Sequence, residues 1–422
     1  MSGLLRRLGR IDALAIALGG VIGVGVFRAT GVVLGGSGGF AEATALWVIV
    51  GIVCMAGAVL YADLSARVPE AGGGYAYVRV AFGRPAAFVY GWMNGGISMP
   101  ARQASVMLVI GEVLASSLPG EARLWAASML VVLVAINLLG VRAGALVQRV
   151  LTAGKIGTIL LVIVLAIVAA PGAGSTAAAP AALSLAAAVS ACWYAYIGWQ
   201  DATLLAEELR EPRRDLPFVL VGSVAAVLVL YTSIHVAVYL GLGGAAHGEL
   251  PARDVAVLVL GGAGFSLLSA LMLSSMIGGA AEAIMVRPRI IMAAARDGLA
   301  PAPIAAIDRR GTPYGAILFH SALAMLIVAT GSFTEQLKLL AFAQGFLGVF
   351  ESASYFVVRR LRPELPTSRF HPWAPLVFLL ANAALCALTA HDDPARIGVA
   401  LGLIGAISAV YAVYAAIRRK LA

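Results

Sequence analysis

The sequence predicts an all-α integral membrane protein of twelve transmembrane helices, and three observations carry that prediction. First, 61% of the 422 residues are hydrophobic, 12% are charged and the mean hydropathy is +0.94. A water-soluble fold of this composition would leave far too much apolar surface in water. Second, twelve apolar runs approach the ~20 residues that cross a bilayer. They start near Ile11, Glu42, Arg84, Arg123, Val147, Ala181, Pro217, Asp254, Pro313, Phe333, Pro372 and Pro394. Third, with both termini placed in the cytoplasm, 24 of the 30 basic residues fall in cytoplasmic segments, as the positive-inside bias requires. Arg123, Arg253, Lys338 and Arg396 fall outside, and Arg28 and Arg102 fall within spans. The net charge of +9 thus reflects topology, and no nucleic-acid partner is expected. The expected location is the cell (inner or plasma) membrane, multi-pass.

Taken in chain order, the elements carry different information. The opening MSGLLRRLGR resembles the basic region of a signal peptide, but the apolar segment after it runs about 25 residues without a convincing cleavage site, so a retained first span is expected. That span contains GGVIGVGVFRATG, Gly19 to Gly31, with five glycines among thirteen residues. Each glycine costs a helix interior roughly 1 kcal/mol relative to alanine. Close helix packing explains such glycines, and so does a deliberate break in the helix. Span three holds GWMNGGISMPARQASVML, with Pro100 relaxing the helix next to Ala101 and Arg102. Lys155 lies about eight residues, or roughly 12 Å, into span five. From position alone it either snorkels to the surface or serves inside the membrane.

Span six brings the second glycine-interrupted, aromatic stretch, CWYAYIGWQDATLLAEELREPRRDLP. Irregular backbone at membrane depth survives only where protein or a water-filled cavity satisfies it. Paired interruptions at corresponding positions of two repeats point to a midplane transport site. Arg102, Glu282 in span eight and Glu351 in span ten read as intramembrane charges, either paired with one another or functional. Asp63, Glu207, Glu208, Arg213, Arg214 and Asp215 lie near cytoplasmic mouths, as a salt-bridge gate or as solvated loops, the latter being the simpler expectation. Cys54, Cys192 and Cys386 lie far apart in apolar runs, and His235 and His320 stand alone, so no disulfide framework, metal site, cofactor or nucleophile-base pair is expected. No soluble domain interrupts the chain, which reads as one polytopic unit over 1–422.

Four motifs in order, GGVIGVGVF, YADLSARVPEAGGGYAYVRVAFG, AYIGWQDATLLAEELREPRRDLP and RIIMAAARDGLAP, together resemble the amino acid-polyamine-organocation superfamily of transporters over about the first 370 residues. The resemblance implies a LeuT-like fold: a five-plus-five inverted repeat, roughly 11–170 and 181–358, with broken spans one and six, and two C-terminal helices in roughly 372–418. It implies that span one breaks at Gly23-Val24-Gly25, next to Ile22, and that the N-terminal dipole of the outer half-helix suits a substrate carboxylate. The inner-half carbonyls at Tyr194, Ala195, Tyr196 and Ile197 would receive the α-ammonium. Tyr194 would act as an aromatic gate, with Trp199 and Ala101 as side-chain contacts. The resemblance also implies that the Lys155 ammonium occupies the region where sodium-coupled relatives bind an ion, facing carbonyls near Gly20 and hydroxyls on span eight, Ser275 before Ser274.

The expected function is therefore sodium-independent secondary active transport of amino acids, by exchange or with protons. Neutral L-amino acids are favoured because no acidic residue except Asp201 falls near the site. A cationic amino acid or polyamine carrier is the alternative if Asp201 or Glu282 faces the cavity. A membrane enzyme or receptor is the alternative from another class, lacking the catalytic cluster or soluble domain it would need. The partners expected are the amino acid and the lipid bilayer, with no obligatory protein partner evident.

Overall fold

The computed structural model describes residues 4–23, 25–116, 118–169, 184–243, 250–330, 333–365, 368–392 and 394–421. The order of helices is α1 (Arg10–Val21), α2 (Gly25–Gly36), α3 (Phe40–Arg67), α4 (Gly74–Gly91), α5 (Met99–Ala115), α6 (Ala122–Leu138), α7 (Val141–Val168) and α8 (Leu185–Tyr196). There follow α9 (Pro212–Gly241), α10 (Pro251–Leu260), α11 (Gly262–Val286), α12 (Arg289–Arg296), α13 (Tyr314–Thr330), α14 (Phe333–Leu361), α15 (Trp373–Asp392) and α16 (Pro394–Leu421). A π-helical turn, Trp92–Ser98, joins α4 to α5, and a 3-10 segment, Trp199–Glu208, follows α8. The protein is all-helical; among the described residues the only extended pairing is one parallel bridge between Leu8 and Leu209.

Local chemistry explains several boundaries. The Asp12 carboxylate accepts the Gly9 N–H at 3.0 Å, capping the start of α1. Ser184 caps α8 by accepting the Ala187 N–H at 3.1 Å. Pro212 opens α9, where a missing N–H costs nothing. Gly261, at φ +59, separates α10 from α11. The eighth apolar run, expected from Asp254, is accordingly divided, with Asp254 on the short α10 and the long helix starting only at Gly262. The expected start of span six at Ala181, and the repeat boundaries at 170 and 181, lie outside the described residues.

Among the described residues, six stretches are long and apolar enough to cross a membrane alone: Phe40–Arg67, Gly144–Val168, Pro212–Gly241, Gly262–Arg296, Trp373–His391 and Gly398–Ala416. The α1/α2 pair, bent by 43°, makes a seventh if its halves are one span, and α6 and α13 are shorter apolar helices of 17 residues. Helix α1 packs against α7, α9 and the 3-10 segment, α2 along α8, and α3 along α9. A second apolar cluster joins α5, α6, α11 and α13 through residues such as Met107, Leu130, Ile284 and Ile317.

Candidate functional site

The two glycine-rich interruptions meet. Helix α1 ends at Val21, with Ile22 already extended at ψ 98, and a new helix starts at Gly25. Val24, between them, lies outside the described residues. Helix α8 ends at Tyr196; Ile197 is extended at ψ 140 and Gly198 takes φ +129 before the 3-10 segment begins. A Cβ on Gly198 would stand 2.4 Å from the Gly20 carbonyl oxygen, and one on Gly25 would touch Ala195 Cα at 3.6 Å and Tyr194 Cδ1 at 4.0 Å. Around Gly23 the space is open, the nearest atom being Gly25 N at 3.9 Å. Each break strands backbone groups, since the first N–H groups of a helix and its last carbonyls have no partner within it. The open end of α2 thus supplies donors, and the end of α8 supplies acceptors, at one place.

The side chains divide into two sets. Ala195 packs on the Gly25 side, and Tyr194 beside it is 42% exposed. Arg102, one residue after the buried Ala101 on α5, shares its electrostatic neighbourhood with Tyr194, Asp201, Glu282 and Arg287. Tyr196 and Trp199 point to other neighbours. The Tyr196 hydroxyl donates to the Trp47 carbonyl at 3.0 Å, and its ring lies 5.4 Å from that of Tyr231. The Trp199 indole meets Tyr61 edge-on at 5.2 Å and Phe378 at 6.1 Å. The reason is helical phase: near 100° per residue, Tyr194 and Tyr196 cannot share a face, and Gly198 redirects the chain before Trp199.

Beneath the first break, Lys155 is 2% exposed and its Nζ donates to the Gly19 carbonyl at 2.6 Å, one residue before the Gly20 expected. Its stem packs on α11, where a Cβ on Gly278 would meet Lys155 Cε at 3.0 Å. Ser275, one turn earlier on α11, is buried with no hydrogen-bond partner for its hydroxyl among the described residues. Ser274 is exposed and is not a partner of Lys155, because the neighbouring position on a helix points about 100° away. The residue that sequence reasoning underrated is Glu282. Its carboxylate lies 3.2 Å from where a Gly20 Cβ would stand, accepts no hydrogen bond among the described residues, and sits in the field of Asp201, Arg287, Lys155 and Arg102.

The Arg287 Nε donates to Asp201 Oδ2 at 3.0 Å, with both side chains buried, fastening α11 to the chain just after the second break. The same end of the molecule is tied further. Arg289 pairs with Glu208 in full burial, Arg296 Nη1 donates to Glu207 at 2.7 Å, and Arg10 Nε donates to Asp215 at 3.0 Å. Asp63 accepts from Arg67 at 2.8 Å. The solvated-loop expectation fails for Asp63, Glu208 and Asp215, and holds for Arg214, whose partner Glu211 is exposed; Glu207 and Arg296 pair while each stays about one third exposed. Burial is the cause for the first three: an acidic group out of water requires a partner. No group of three or more metal-ligating side chains occurs among the described residues.

Two helix breaks thus meet beside a buried lysine that is bonded to the backbone of the first. The chain belongs to the amino acid permease family, whose model matches residues 8–418, within the amino acid-polyamine-organocation superfamily. It is 27% identical over 424 residues to the human "Large neutral amino acids transporter small subunit 2", covering 95% of this chain and 79% of that protein. It is 26% identical over 421 residues to the "Serine/threonine exchanger SteT" of Bacillus subtilis (strain 168), covering 96% and 95%. It is also 27% identical over 423 residues to the human "Cystine/glutamate transporter", covering 94% and 82%. The family is one of permeases, and its members named here are transporters, not enzymes.

Proposed function

We propose that this chain is a sodium-independent secondary active transporter of neutral L-amino acids. It spans the membrane twelve times with both termini in the cytoplasm, as two inverted five-helix repeats whose first helices are the broken α1/α2 and the broken α8 with its 3-10 extension. The observation that carries this reading is the Lys155 ammonium on the Gly19 carbonyl, 2.6 Å away and directly beneath the place where the two breaks meet. A fixed ammonium there supplies the positive charge that a bound cation would otherwise bring. The start of α2, Gly23 and Gly25 receive the substrate carboxylate, the carbonyls of Tyr194 to Ile197 receive its ammonium, and Tyr194 closes over the site. The ion pairs of Glu207, Glu208 and Asp215 form the cytoplasmic closure.

A neutral substrate is supported by Asp201, whose carboxylate is already engaged by Arg287. Glu282 accepts no hydrogen bond among the described residues, and its surroundings hold the Asp201 carboxylate as well as Arg287, Lys155 and Arg102. The cationic and polyamine alternative therefore turns on Glu282. The first human relative is named as a small subunit. For this chain the proposed transport is complete in one polypeptide, and uptake by the purified protein tests that directly.

The test is uptake of radiolabelled amino acids into proteoliposomes, with sodium replaced by another monovalent cation. Wild-type uptake is expected to be indifferent to the replacement. Lys155→Ala is expected to lose most transport, because it leaves the Gly19 carbonyl without its donor at about 1–3 kcal/mol. A strict sodium requirement, or full activity in Lys155→Ala, refutes the reading. Stabilisation of the purified protein by polyamines alone, in a thermal-shift panel, refutes the substrate class.

A further inference from the structure

Glu351 stands apart from the ion pairs described above. It sits on α14, 6% exposed, and its two carboxylate oxygens accept hydrogen bonds from the hydroxyls of Tyr61 on α3 and Tyr90 on α4. The Asn94 amide in the π-helical turn donates to the Tyr90 oxygen at 3.0 Å, which leaves the Tyr90 O–H free to point at Glu351. The titratable groups facing this carboxylate are Tyr61 and Cys54 from α3, Tyr77 and Tyr90 from α4, and Asp201 from the 3-10 segment. Helix α15 contributes Phe378 and Asn382. Among the described residues no lysine, arginine or histidine bonds to Glu351.

A buried carboxylate without a counter-cation is costly, and such groups take up a proton instead. Here both forms are accommodated. Each tyrosine hydroxyl is a donor and an acceptor, so the pair donates twice to the carboxylate, while one of them can accept from the carboxylic acid. Glu282 lacks this arrangement, since neither of its carboxylate oxygens accepts a hydrogen bond among the described residues.

The position of Glu351 ties it to the second break. Together with Tyr196, Ile197, Trp199, Gln200 and Gln344 it lines a cavity of about 20 Å³, room for one water. The Tyr61 ring that holds one carboxylate oxygen meets the Trp199 indole at 5.2 Å, one residue after Gly198.

We propose that Glu351 is the proton-binding site that couples amino acid transport to a proton gradient, with Tyr61 and Tyr90 as its positioning residues. The proposal rests on the transporter reading above and selects proton symport from its two modes. One proton leaves the external solution, bonds to a Glu351 oxygen, crosses with the substrate and is released inside. Nothing is consumed.

The experiment uses the full-length purified protein in proteoliposomes, with radiolabelled L-serine and L-leucine as probes. For one proton per substrate, an inward gradient of one pH unit is expected to raise wild-type accumulation up to about tenfold. Glu351→Gln, which keeps the shape and removes the titration, is expected to fall to the level seen without a gradient. Its exchange against preloaded amino acid at equal pH stays close to wild type. Infrared difference spectra between acidic and alkaline pH read the site without transport. One titrating carboxylic-acid carbonyl band, seen in wild type and in Lys155→Ala, is expected to be lost in Glu351→Gln, while the bands of the other carboxyl groups remain. Tyr61→Phe and Tyr90→Phe keep the coupling and move the pH at which the band appears; an unmoved midpoint removes the tyrosines from the proposal. Gradient-driven uptake that persists in Glu351→Gln, or carbonyl bands in it identical to those of wild type, overturns the assignment to Glu351. A wild type that neither takes up nor exchanges any amino acid overturns the transporter reading, and the coupling with it, even where the band is present.

Discussion

Replacing Gly198 by alanine tests whether the two helix breaks are one joint. At φ +129 and ψ −20 the residue occupies backbone space that L side chains avoid, at a cost on the order of 1–3 kcal/mol. Its new methyl would also stand 2.4 Å from the Gly20 carbonyl oxygen and 2.6 Å from its carbon. Ordinary contact begins near 3.4 Å, so the two segments would have to part by about 1 Å, and neither obstacle is a flexible side-chain tip. Overpacking of that kind costs another 1–3 kcal/mol or so. The combined penalty of about 2–6 kcal/mol is a large part of the 5–15 kcal/mol that typically holds a domain folded. The assay is the apparent melting midpoint in detergent, followed by size-exclusion, alongside uptake by whatever folded protein remains. Gly222→Ala, where a Cβ meets nothing within 4 Å, is the control and is expected to melt at or above wild type. If Gly198→Ala melts and transports like Gly222→Ala, the breaks do not touch and the joint does not exist.

Two further perturbations address the same region. Gly25→Leu is expected to insert and fold but to lose amino acid binding, because its side chain extends from a Cβ already in contact with Ala195 and Tyr194; normal ligand-induced stabilisation in that variant removes Gly25 from the site. Arg287→Met is expected to cost about 3–5 kcal/mol by stranding the buried Asp201, visible as a lowered melting midpoint. The double variant Asp201→Leu with Arg287→Met is expected to recover much of that loss, and a double variant no better than the single one contradicts the pairing.

The parts of this molecule that could be read from sequence are those whose signal is local. Glycine at Gly23, Gly25 and Gly198 advertises a broken helix because it weakens helices wherever it falls, and the depth of Lys155 drew notice to it while leaving a snorkelling side chain open. Partnerships across the bundle left no such trace. Asp201 and Arg287 are separated by 86 residues in the chain, and Arg287 read as one more basic residue of a cytoplasmic segment. Glu208 and Arg289 were hidden in the same way. Side-chain direction was also illegible: Trp199 follows a residue at φ +129, and no periodicity carries across such a turn. The division of the eighth apolar run at Gly261 was obscured because hydrophobicity continues through it while the backbone does not.

The bridge between Leu8 and Leu209 sets an order of manufacture. The Leu8 N–H donates to the Glu208 carbonyl at 3.0 Å, and the Arg210 N–H donates to the Leu8 carbonyl at 3.1 Å. The exposed backbone of the first broken helix has the same kind of late supplier: Thr152 for the Ala15 carbonyl, Lys155 for Gly19 and Tyr231 for Val21. At 5–20 residues per second, the ribosome needs roughly 10–40 s to travel from Leu8 to Leu209. Throughout that interval the nascent first span carries polar backbone that hydrocarbon cannot satisfy. Helix α1, made before the partners that complete it, must therefore wait in a sheltered place, at the insertion machinery or against the helices that emerge after it, until those partners have been translated.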